Sequence, residues 1–410
     1  MIESRTPAFW RATLALCMGS VMVFSNLYIT QPLLPLLRDA FEVTPLQAGM
    51  TLSVTTLTLG FCLLVFGPLS DAIGRRVIIL STLSLLMLTT FAAFFVEDYN
   101  LLLVLRGLQG VFIAGLPAAA MAYMGEEFDP KALLLAVGLY IGANSIGGIA
   151  GRVISGLAAH QWGWQSSFLT LAVFDLICLV LVIWLLPASR RFEPSPLRPH
   201  LMLKDLIGHL RNPIIVTACL VGGFNFFIFV NQYSYITYVL ADAPYGLSTD
   251  WLGLLFLTYL TGTLAAGFSG RLMSGRSQPM GMALGVLILM AGSLLTLIPH
   301  LYGIVLGLFV NALGFFFAHT QAAGWVTRHA ERARASATSL YLAFYYAGAT
   351  LGGFYLDAFW HWGEWKGVVV GSLLVLILTL TMSLWLAGRE RSLCVSGSVR
   401  QGRTLHAKPT

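Results

Sequence analysis

Two long apolar runs are joined by residues 67–76, which read Gly-Pro-Leu-Ser-Asp-Ala-Ile-Gly-Arg-Arg. The runs on either side are centred in 47–69 and 77–96, and each has the roughly 20 apolar residues that a helix needs to cross a bilayer core. A short turn with two glycines, one acid and two adjacent bases lets the two helices pack closely and keeps a fixed charge pair at the membrane surface. The stretch therefore predicts two membrane helices joined by a charged loop.

Apolar runs of the same kind recur along the whole chain. Hydrophobic residues make up 57% of the 410 residues and charged residues only 10%, whereas a soluble protein carries about 25% charge. The runs are continuously apolar and do not alternate, which excludes porin-like strands. We therefore predict an all-α integral membrane protein with twelve transmembrane helices. The ten further runs are centred in about 12–34, 100–124, 134–158, 165–187, 213–240, 250–272, 278–298, 302–325, 336–358 and 366–388.

The basic residues fall mostly on one side of the predicted membrane. If both termini are cytoplasmic, only Arg38 and Lys366 lie on the opposite side, and Arg106 and Arg152 lie within spans. The remaining 20 of the 24 Lys and Arg residues then face the cytoplasm, as the positive-inside rule requires. We predict a multi-pass protein of the bacterial inner (cytoplasmic) membrane with both termini cytoplasmic. The same bias explains the net charge of +6 without a nucleic-acid partner.

A polar interruption divides the chain into two halves of six spans each. The interruption at 188–212 is the longest in the chain and is rich in proline and basic residues. It predicts two pseudo-symmetric six-helix bundles, and the polar, aperiodic end of the chain predicts a disordered tail. The predicted units are an N-terminal bundle over 1–188, a cytoplasmic linker loop over 189–212, a C-terminal bundle over 213–390 and a disordered cytoplasmic tail over 391–410.

The two halves resemble each other at an offset of about 200 residues. Gly147 and Gly151 of the fifth span recur, one residue out of step, as Gly348 and Gly352 of the eleventh span. Internal repeats in a protein with many spans suggest alternating access, with a substrate site near the midplane between the halves.

Three motifs resemble those of the major facilitator superfamily. The loop 67–76 resembles its cytoplasmic signature loop and lies, as there, between the second and third spans. Residues 105–110, Leu-Arg-Gly-Leu-Gln-Gly, resemble its second signature in the fourth span. The opening 28–35, Tyr-Ile-Thr-Gln-Pro-Leu-Leu-Pro, is similar to the first helix of its twelve-helix drug/proton antiporter and sugar-efflux branch. The resemblance covers about 10–390 and implies the fold of that superfamily.

The resemblance implies a cytoplasmic gate at the signature loop. Asp71 would face the start of the eleventh span near Ser336, where an acid suits the positive end of a helix. Arg75 would pair with an acid just beyond the fourth span and so hold the cytoplasmic side shut when the protein faces outward. The alternative is an ordinary basic loop that only sets topology. The predicted gate residues are Gly67, Asp71, Gly74, Arg75, Arg76, Glu126 and Glu127.

The fifth span departs from the antiporter pattern of the superfamily, Gly-x-x-x-Gly-Pro-x-x-Gly-Gly. Residues 138–148 keep all four glycines, but Ala143 follows Gly142 and the kinking proline is absent. Small residues still allow close helix contact, so the span implies transport but not antiport specifically. The predicted packing residues are Gly138, Gly142, Gly147 and Gly151.

Four ionisable residues lie within predicted spans, where a charged side chain costs at least about 2.5–3.5 kcal/mol. Asp175 of the sixth span and Arg152 of the fifth lie at compatible depths, so we predict a pair that alternates between paired and protonated forms. The alternative is a static pair that anchors two helices. For Arg106 the resemblance implies proton transfer, and the alternative is an arginine that snorkels to the surface. His319 is predicted as a proton carrier or substrate ligand, or else as a hydrogen-bonded core histidine.

Polar side chains also cluster in the first and seventh spans, which line the cavity of proteins in the superfamily. With residues of the fifth and eleventh spans they form the predicted substrate site, although aromatic residues there are more often packing or interface anchors. The many neutral polar groups favour a neutral solute. The predicted substrate residues are Asn26, Tyr28, Gln31, Asn144, Asn231, Gln232 and Tyr345.

Together these features predict a secondary active transporter that moves a small organic solute by alternating access. Proton-coupled efflux of a drug, sugar or metabolite by a monomer is the leading prediction. The alternatives are proton symport or facilitated uptake of a nutrient and, from another class, a non-transporting membrane sensor on the same scaffold.

Other kinds of activity lack their sequence signals. The chain has no H-E-x-x-H or G-x-S-x-G motif and no Walker loop, which disfavours a membrane-embedded enzyme and a primary pump. Cys17, Cys62, Cys178 and Cys219 fall in apolar runs and are interpreted as buried small hydrophobic residues. We therefore predict no metal site and no other cofactor.

Overall fold

The chain folds into long helices. The structure, a computed structural model, describes residues 1–4, 6–194, 199–330 and 332–405. Within these ranges the strand-like pairing is limited to an isolated bridge between Ile2 and Phe128. The predicted all-α class is confirmed.

The N-terminal half contains eight α-helices. They are α1 (Pro7–Tyr28), α2 (Leu34–Phe41), α3 (Pro45–Ile73), α4 (Arg75–Ala93), α5 (Tyr99–Ile113), α6 (Gly115–Glu127), α7 (Pro130–Trp162) and α8 (Trp164–Leu185). A 3-10 turn at Gln31–Leu33 joins α1 to α2 in the first span, and α6 continues α5 in the fourth. Eight helices therefore supply six spans.

The C-terminal half is built in the same way. Its helices are α9 (Pro199–Leu210), α10 (Pro213–Ala241), α11 (Thr249–Leu254), α12 (Tyr259–Leu272), α13 (Gln278–Leu295), α14 (Leu301–His329) and α15 (Arg334–Leu405). A 3-10 turn at Leu255–Thr258 joins α11 to α12 in the eighth span. The backbone of α15 is non-helical at Gly363 and Glu364, so this element holds both the eleventh and the twelfth spans. Eleven helical stretches of the described chain could cross a membrane by length and composition, and dividing α15 gives the predicted twelve.

Two segments differ from the sequence prediction. The linker predicted as a loop over 189–212 contains α9, because Pro199 is well tolerated at the first position of a helix. The tail predicted as disordered over 391–410 continues as helix to Leu405, because no proline stands between 391 and 405 to end the last span. Residues 195–198 and 406–410 lie outside the described residues.

Capping residues determine where several spans begin. Thr44, Asp129 and Asn212 each precede a proline that opens a helix, and each side-chain oxygen accepts a hydrogen bond from a backbone N–H of the first turn. Such caps satisfy N–H groups that have no partner within the helix. The short polar turns between apolar runs therefore start the next helix at a defined residue.

Two glycines bring α7 against the backbone of α1. A Cβ atom added at Gly147 would lie 2.6 Å from the carbonyl oxygen of Val21, and one added at Gly151 would lie 2.4 Å from Cα of Ser25. Real Cβ atoms do not approach other atoms so closely, so only glycine permits this helix contact.

The repeated glycines make the equivalent contact in the second half. A Cβ atom added at Gly348 would lie 2.2 Å from the carbonyl oxygen of Gly223, and one added at Gly352 would lie 2.2 Å from that of Phe227. Here the first half of α15 packs on α10, which is the first span of its bundle, as α1 is of the other. The repeat in the sequence thus corresponds to one helix contact made twice.

The other two glycines predicted to pack do not do so. Gly138 and Gly142 have nothing within 4 Å of an added Cβ atom. Each precedes one of the packing glycines by nine residues, and at about 3.6 residues per turn nine residues lead to the opposite face of the helix. The prediction that all four glycines pack is therefore wrong for this pair.

Alanine substitutions on the two faces of α7 should have opposite effects. Gly151→Ala is expected to lower the free energy of unfolding by about 1–3 kcal/mol, because the methyl group forces α7 away from α1. Gly142→Ala is the matched control and should raise the free energy of unfolding by about 0.5–1 kcal/mol, since alanine is the better helix former. Chemical unfolding of the purified variants in mixed micelles measures both. Equal losses at the two positions would contradict the contact.

Candidate functional site

The signature loop forms a cluster of ion pairs within the N-terminal bundle. Nη2 of Arg75 lies 2.8 Å from Oε1 of Glu126, and Nη1 donates to Oγ of Ser70 at 2.7 Å and also contacts Asp71. Glu126 is therefore the acid beyond the fourth span that pairs with Arg75. This cluster ties α3 and α4 to the end of α6.

The neighbouring gate residues bind the start of the linker. Oε1 of Glu127 accepts the backbone N–H of Arg190 at 2.6 Å, and Nε of Arg76 donates to the carbonyl oxygen of Leu186 at 3.2 Å. Glu127 thus takes part in a different contact from Glu126. Both contacts stay within the N-terminal half and its connection to the linker.

The remaining gate residues have simpler surroundings. Gly74 has a φ of +121°, which favours glycine and forms the break between α3 and α4. Gly67 has nothing within 4 Å of an added Cβ atom. Among the described residues no hydrogen bond joins Asp71 to Ser336, so this contact implied by the resemblance is not made in this conformation.

The two bundles meet at the far face, defined as the end opposite the loop 67–76. Arg38 of α2 makes two hydrogen bonds with Asp242 at the end of α10, at 3.1 and 3.2 Å. A Cβ atom added at Gly156 of α7 would lie 2.4 Å from the carbonyl oxygen of Thr249 in α11. The far face is therefore closed by direct contact between the bundles.

A chain of buried hydrogen bonds crosses the N-terminal bundle. Nη1 of Arg106 donates to Gln109 at 2.6 Å, Gln109 donates to Thr90 at 3.0 Å, and Thr90 donates to Asn26 at 2.5 Å. Nδ2 of Asn26 donates to both carboxylate oxygens of Asp175, at 2.8 and 3.0 Å. All five side chains have 0% exposure. We call this series the polar chain.

Arg106 also caps the end of α1. Its Nη1 and Nη2 donate to the carbonyl oxygens of Asn26 and Leu27, each at 3.0 Å, and its Nε donates to the carbonyl oxygen of Thr51 at 3.0 Å. The last carbonyl groups of a helix have no N–H partner four residues on. Arg106 therefore does not snorkel but supplies donors for the end of α1.

The predicted Arg152–Asp175 pair is wrong. Asp175 faces Asn26 of α1, and no described Lys, Arg or His nitrogen lies within 4.0 Å of its carboxylate. Nε of Arg152 instead donates to Oε1 of Gln31 at 2.8 Å, and Nη1 donates to the carbonyl oxygen of Gly148 at 2.6 Å. The two residues lie on adjacent helices, but their side chains project to different sides of α1.

Aromatic rings surround the guanidinium group of Arg152. Its Cζ lies 3.9 Å from the ring centroid of Tyr28, 4.5 Å from that of Phe256 and 4.7 Å from that of Tyr259. Tyr28 belongs to the N-terminal bundle, whereas Phe256 and Tyr259 belong to the C-terminal bundle. Arg152 therefore lies at the boundary between the halves, and we call these three rings the aromatic cage. Phe256 and Tyr259 were missed because an aromatic residue in an apolar span gives no sign of which way it faces.

His319 lies in the C-terminal bundle beside a second group of aromatic rings. Its Nδ1 is 2.8 Å from the hydroxyl of Tyr341, and its ring centroid is 4.9 Å from that of Tyr345. Tyr345 in turn stacks on Phe226 at 3.7 Å with an interplanar angle of 8°. His319 and Tyr345, predicted for different roles, are therefore neighbours, and both are half-buried.

Four of the seven predicted substrate residues fall into three groups. Tyr28 and Gln31 contact Arg152, and Nε2 of Gln31 also donates to the carbonyl oxygen of Val230 in α10 at 3.0 Å. Asn26 belongs to the polar chain and Tyr345 to the group around His319.

The other three substrate predictions concern residues that are bonded within their own bundles. Asn144 accepts a hydrogen bond from Ser20, Asn231 donates to the carbonyl oxygen of Ala349 at 2.9 Å, and Gln232 accepts from Asn311 at 2.7 Å. Their side chains stabilise helix contacts, as polar groups often do in membranes. The site predicted as one set of residues is therefore not one site.

No group of three or more His, Cys, Asp or Glu side chains that could hold a metal ion occurs among the described residues. Cys178 and Cys219 are buried, whereas Cys17 and Cys62 are only partly buried, which corrects their interpretation as buried residues.

A family model and two relatives of known sequence all indicate the same protein family. The model of the Major Facilitator Superfamily matches residues 16–353. An uncharacterised MFS-type transporter of Bacillus subtilis (strain 168), YybF, is 38% identical over 94% of this chain and 95% of its own length. The inner membrane transport protein YnfM of Escherichia coli (strain K12) is 35% identical over 93% of this chain and 91% of its own length.

More distant matches agree in fold. The multidrug resistance protein MdtG of Citrobacter koseri is 26% identical over 54% of this chain and 55% of its own length. The solved structure of a peptide transporter, POT, in complex with sulfate superposes with a TM-score of 0.77 at 15% identity, covering 93% of this chain and 94% of that one. At that identity the structural match supports the fold alone.

Proposed function

This chain belongs to the major facilitator superfamily, and from that membership we propose that the protein exports a small organic solute in exchange for protons. It is a multi-pass membrane protein and a secondary transporter, and its relatives are transporters and not enzymes. We further propose that the coupling ion is the proton and that transport is directed outward. We also propose that the transporting unit is a monomer, since one chain carries both bundles.

The observation that carries the proposal is the environment of Asp175. Its carboxyl group has 0% exposure and, among the described residues, receives hydrogen bonds only from the neutral side chain of Asn26. Among the acidic residues of the described chain only Asp175 and Glu127 are buried, and Glu127 lies at the end of α6 beside the linker. Ionisable groups inside a membrane protein commonly belong to proton pathways. A proton on Asp175 removes a charge that is costly to hold in such surroundings.

Helix α1 connects this carboxyl group to the boundary between the bundles. Asn26 bonds Asp175, while Tyr28 and Gln31, only a few residues further along, contact Arg152. When Asp175 loses its proton, the strengthened bond to Asn26 holds the end of α1 in place. Proton uptake weakens that bond and frees the 3-10 turn after α1, where Gln31 contacts Val230 of α10, to change its contacts. Proton movement and rearrangement of the bundles are thereby coupled through one helix.

The direction of export follows from the proposed orientation. The basic residues favour a cytoplasmic position for the loop 67–76 and both termini, which places the far face outside. With the far face closed by the Arg38–Asp242 pair, this conformation would accept solute from the cytoplasm. The similarity of 28–35 to the antiporter and sugar-efflux branch and the relative named for multidrug resistance support efflux. The relative named as an inner membrane protein supports the proposed location.

Everted membrane vesicles from bacteria that express the protein provide the test. Respiration acidifies their interior, a pH-sensitive dye reports the gradient, and sugars, amino acids, organic acids and lipophilic cations are added in turn. A transported solute should enter the vesicles and release protons, with vesicles from cells that lack the protein as control. Solute entry without proton movement would indicate a facilitator. Proton-driven uptake only in right-side-out vesicles would indicate a symporter, and no movement of any solute would indicate a sensor.

A further inference from the structure

Arg152 is a buried cation that lacks an anionic partner. Its side chain is 1% exposed, and no carboxylate of a described residue lies within 4.0 Å of its nitrogen atoms. Its Nε and Nη1 are hydrogen-bonded to Gln31 and Gly148, but Nη2 is buried and has no hydrogen-bond partner in the described part of the chain. Buried charges in proteins are normally paired, so this group needs an explanation.

Arg106 shows that the chain can satisfy a buried arginine completely by structural contacts. It is as deeply buried as Arg152, yet both of its Nη atoms and its Nε donate hydrogen bonds to carbonyl or amide oxygens. Arg106 therefore has its role in holding α1. Arg152 has the same guanidinium group, but its Nη2 has no acceptor among the described residues, and this atom lies where the two bundles meet.

The surroundings of Arg152 are suited to a ligand with a flat apolar body. The three rings of the aromatic cage lie against the guanidinium group, and the hydroxyl of Tyr259 is also buried without a partner. Cation–π contacts offset part of the cost of the buried charge but leave its hydrogen-bonding direction free. A carboxylate suits this free donor, because hydrogen bonds between a guanidinium group and an ionised oxygen are stronger than those between neutral groups.

We propose that the solute is a small organic carboxylate with an aromatic or otherwise flat body, and that Arg152 binds its carboxylate. This inference deepens the proposed function and rests on it for the claim that a solute is transported. Oxygen atoms of the ligand would accept from Nη2 of Arg152 and from the hydroxyl of Tyr259. Because the cage takes one ring from α1 and two from the eighth span, the ligand would contact both bundles. This assignment replaces the neutral solute that the sequence favours.

Binding to the purified protein in nanodiscs tests the inference directly. The probes are labelled benzoate, phenylacetate and 4-hydroxybenzoate, each compared with its neutral amide, with benzylamine as the cation of similar shape. At least one carboxylate should bind at least about tenfold more tightly than its amide, since hydrogen bonds to a charged group are worth about 1.5–3 kcal/mol. Failure of all three carboxylates to bind, or equal binding of acid and amide, would overturn the inference.

Variants of Arg152 test whether this residue is responsible for the preference for a carboxylate over its amide. Arg152→Gln is expected to weaken carboxylate binding by at least about tenfold and to leave amide binding unchanged. Arg152→Lys keeps the charge but not the planar guanidinium group and should lie between wild type and Arg152→Gln. Arg271→Gln removes an exposed arginine in the last turn of α12 and is the matched control, with binding unchanged. If Arg152→Gln does not fold, the ratio of acid affinity to amide affinity in Arg152→Lys tests whether Arg152 binds the carboxylate. A ratio equal to that of the wild type would contradict this assignment.

The outcomes also separate this inference from the proposed function. Carboxylate binding that depends on Arg152 without solute-evoked proton movement would uphold the anion site and remove proton coupling. Proton movement evoked only by neutral or cationic solutes would uphold proton coupling and overturn the anion site.

Discussion

Replacing Asp175 by asparagine is expected to abolish solute-evoked proton movement while solute exchange continues. The asparagine side chain has nearly the size and shape of a protonated carboxyl group and, like it, carries no charge. It should therefore fit beside Asn26 and leave the bundle folded, but it has no proton to release. The variant would be fixed in the protonated form of the transporter.

Two assays on the same proteoliposomes measure this effect. A pH-sensitive dye inside the liposomes reports coupled proton movement, which should fall to the level of liposomes without protein. Exchange of labelled for unlabelled solute, which needs no net proton transfer, should remain near that of wild type. The matched control is Asp357→Asn, because Asp357 is a partly buried acid that bonds Tyr235 near the far face and is not part of the polar chain. Full coupling in Asp175→Asn would contradict the proton role.

Replacing Arg106 by leucine is expected to lower the free energy of unfolding by at least about 3 kcal/mol. The substitution leaves the carbonyl oxygens of Asn26 and Leu27 and the side-chain oxygen of Gln109 without their donor, and each unsatisfied buried group costs about 1–3 kcal/mol. Within an apolar membrane interior water does not replace these hydrogen bonds. Arg106→Lys should recover part of the loss, since it offers fewer donors from a single atom.

Unfolding of the purified variants in mixed micelles measures the stability of each. Arg38→Leu at the far face provides the control, because its partly exposed ion pairs should contribute no more than about 1 kcal/mol. An Arg106→Leu protein with wild-type stability but no proton coupling would show that Arg106 carries protons and is not a helix cap.

Much of the fold could be predicted from the sequence because a bilayer imposes length and polarity on every span. The twelve runs and the repeated glycines of the fifth and eleventh spans depend only on residue order and spacing. The packing of Gly147 and Gly151, but not of Gly138 and Gly142, also follows from the turn of a helix once one contact is known. Only the linker helix and the helical continuation beyond residue 390 depart from the predicted organisation.

The side-chain partners could not be predicted in the same way. The depth of Asp175 and Arg152 in the membrane can be counted along their spans. The rotation of each helix about its axis cannot be read from the sequence, and it is this rotation that points the two side chains in different directions. The same limit applies to Phe256 and Tyr259, which face Arg152, and to Asn231, which donates to the carbonyl oxygen of Ala349 in its own bundle. Charge and polarity identified the residues that need partners, and only the packed helices show which partners they have.

Simultaneous measurement of solute and proton fluxes in proteoliposomes of the wild-type protein tests whether export is coupled to protons. The liposomes carry an imposed pH gradient, a pH-sensitive dye inside and a labelled solute from the panel that binds. We expect solute movement in one direction to be accompanied by proton movement in the other, and dissipation of the pH gradient to slow accumulation of solute. Solute movement at the same rate with and without a pH gradient, and with no change in dye signal, would contradict it.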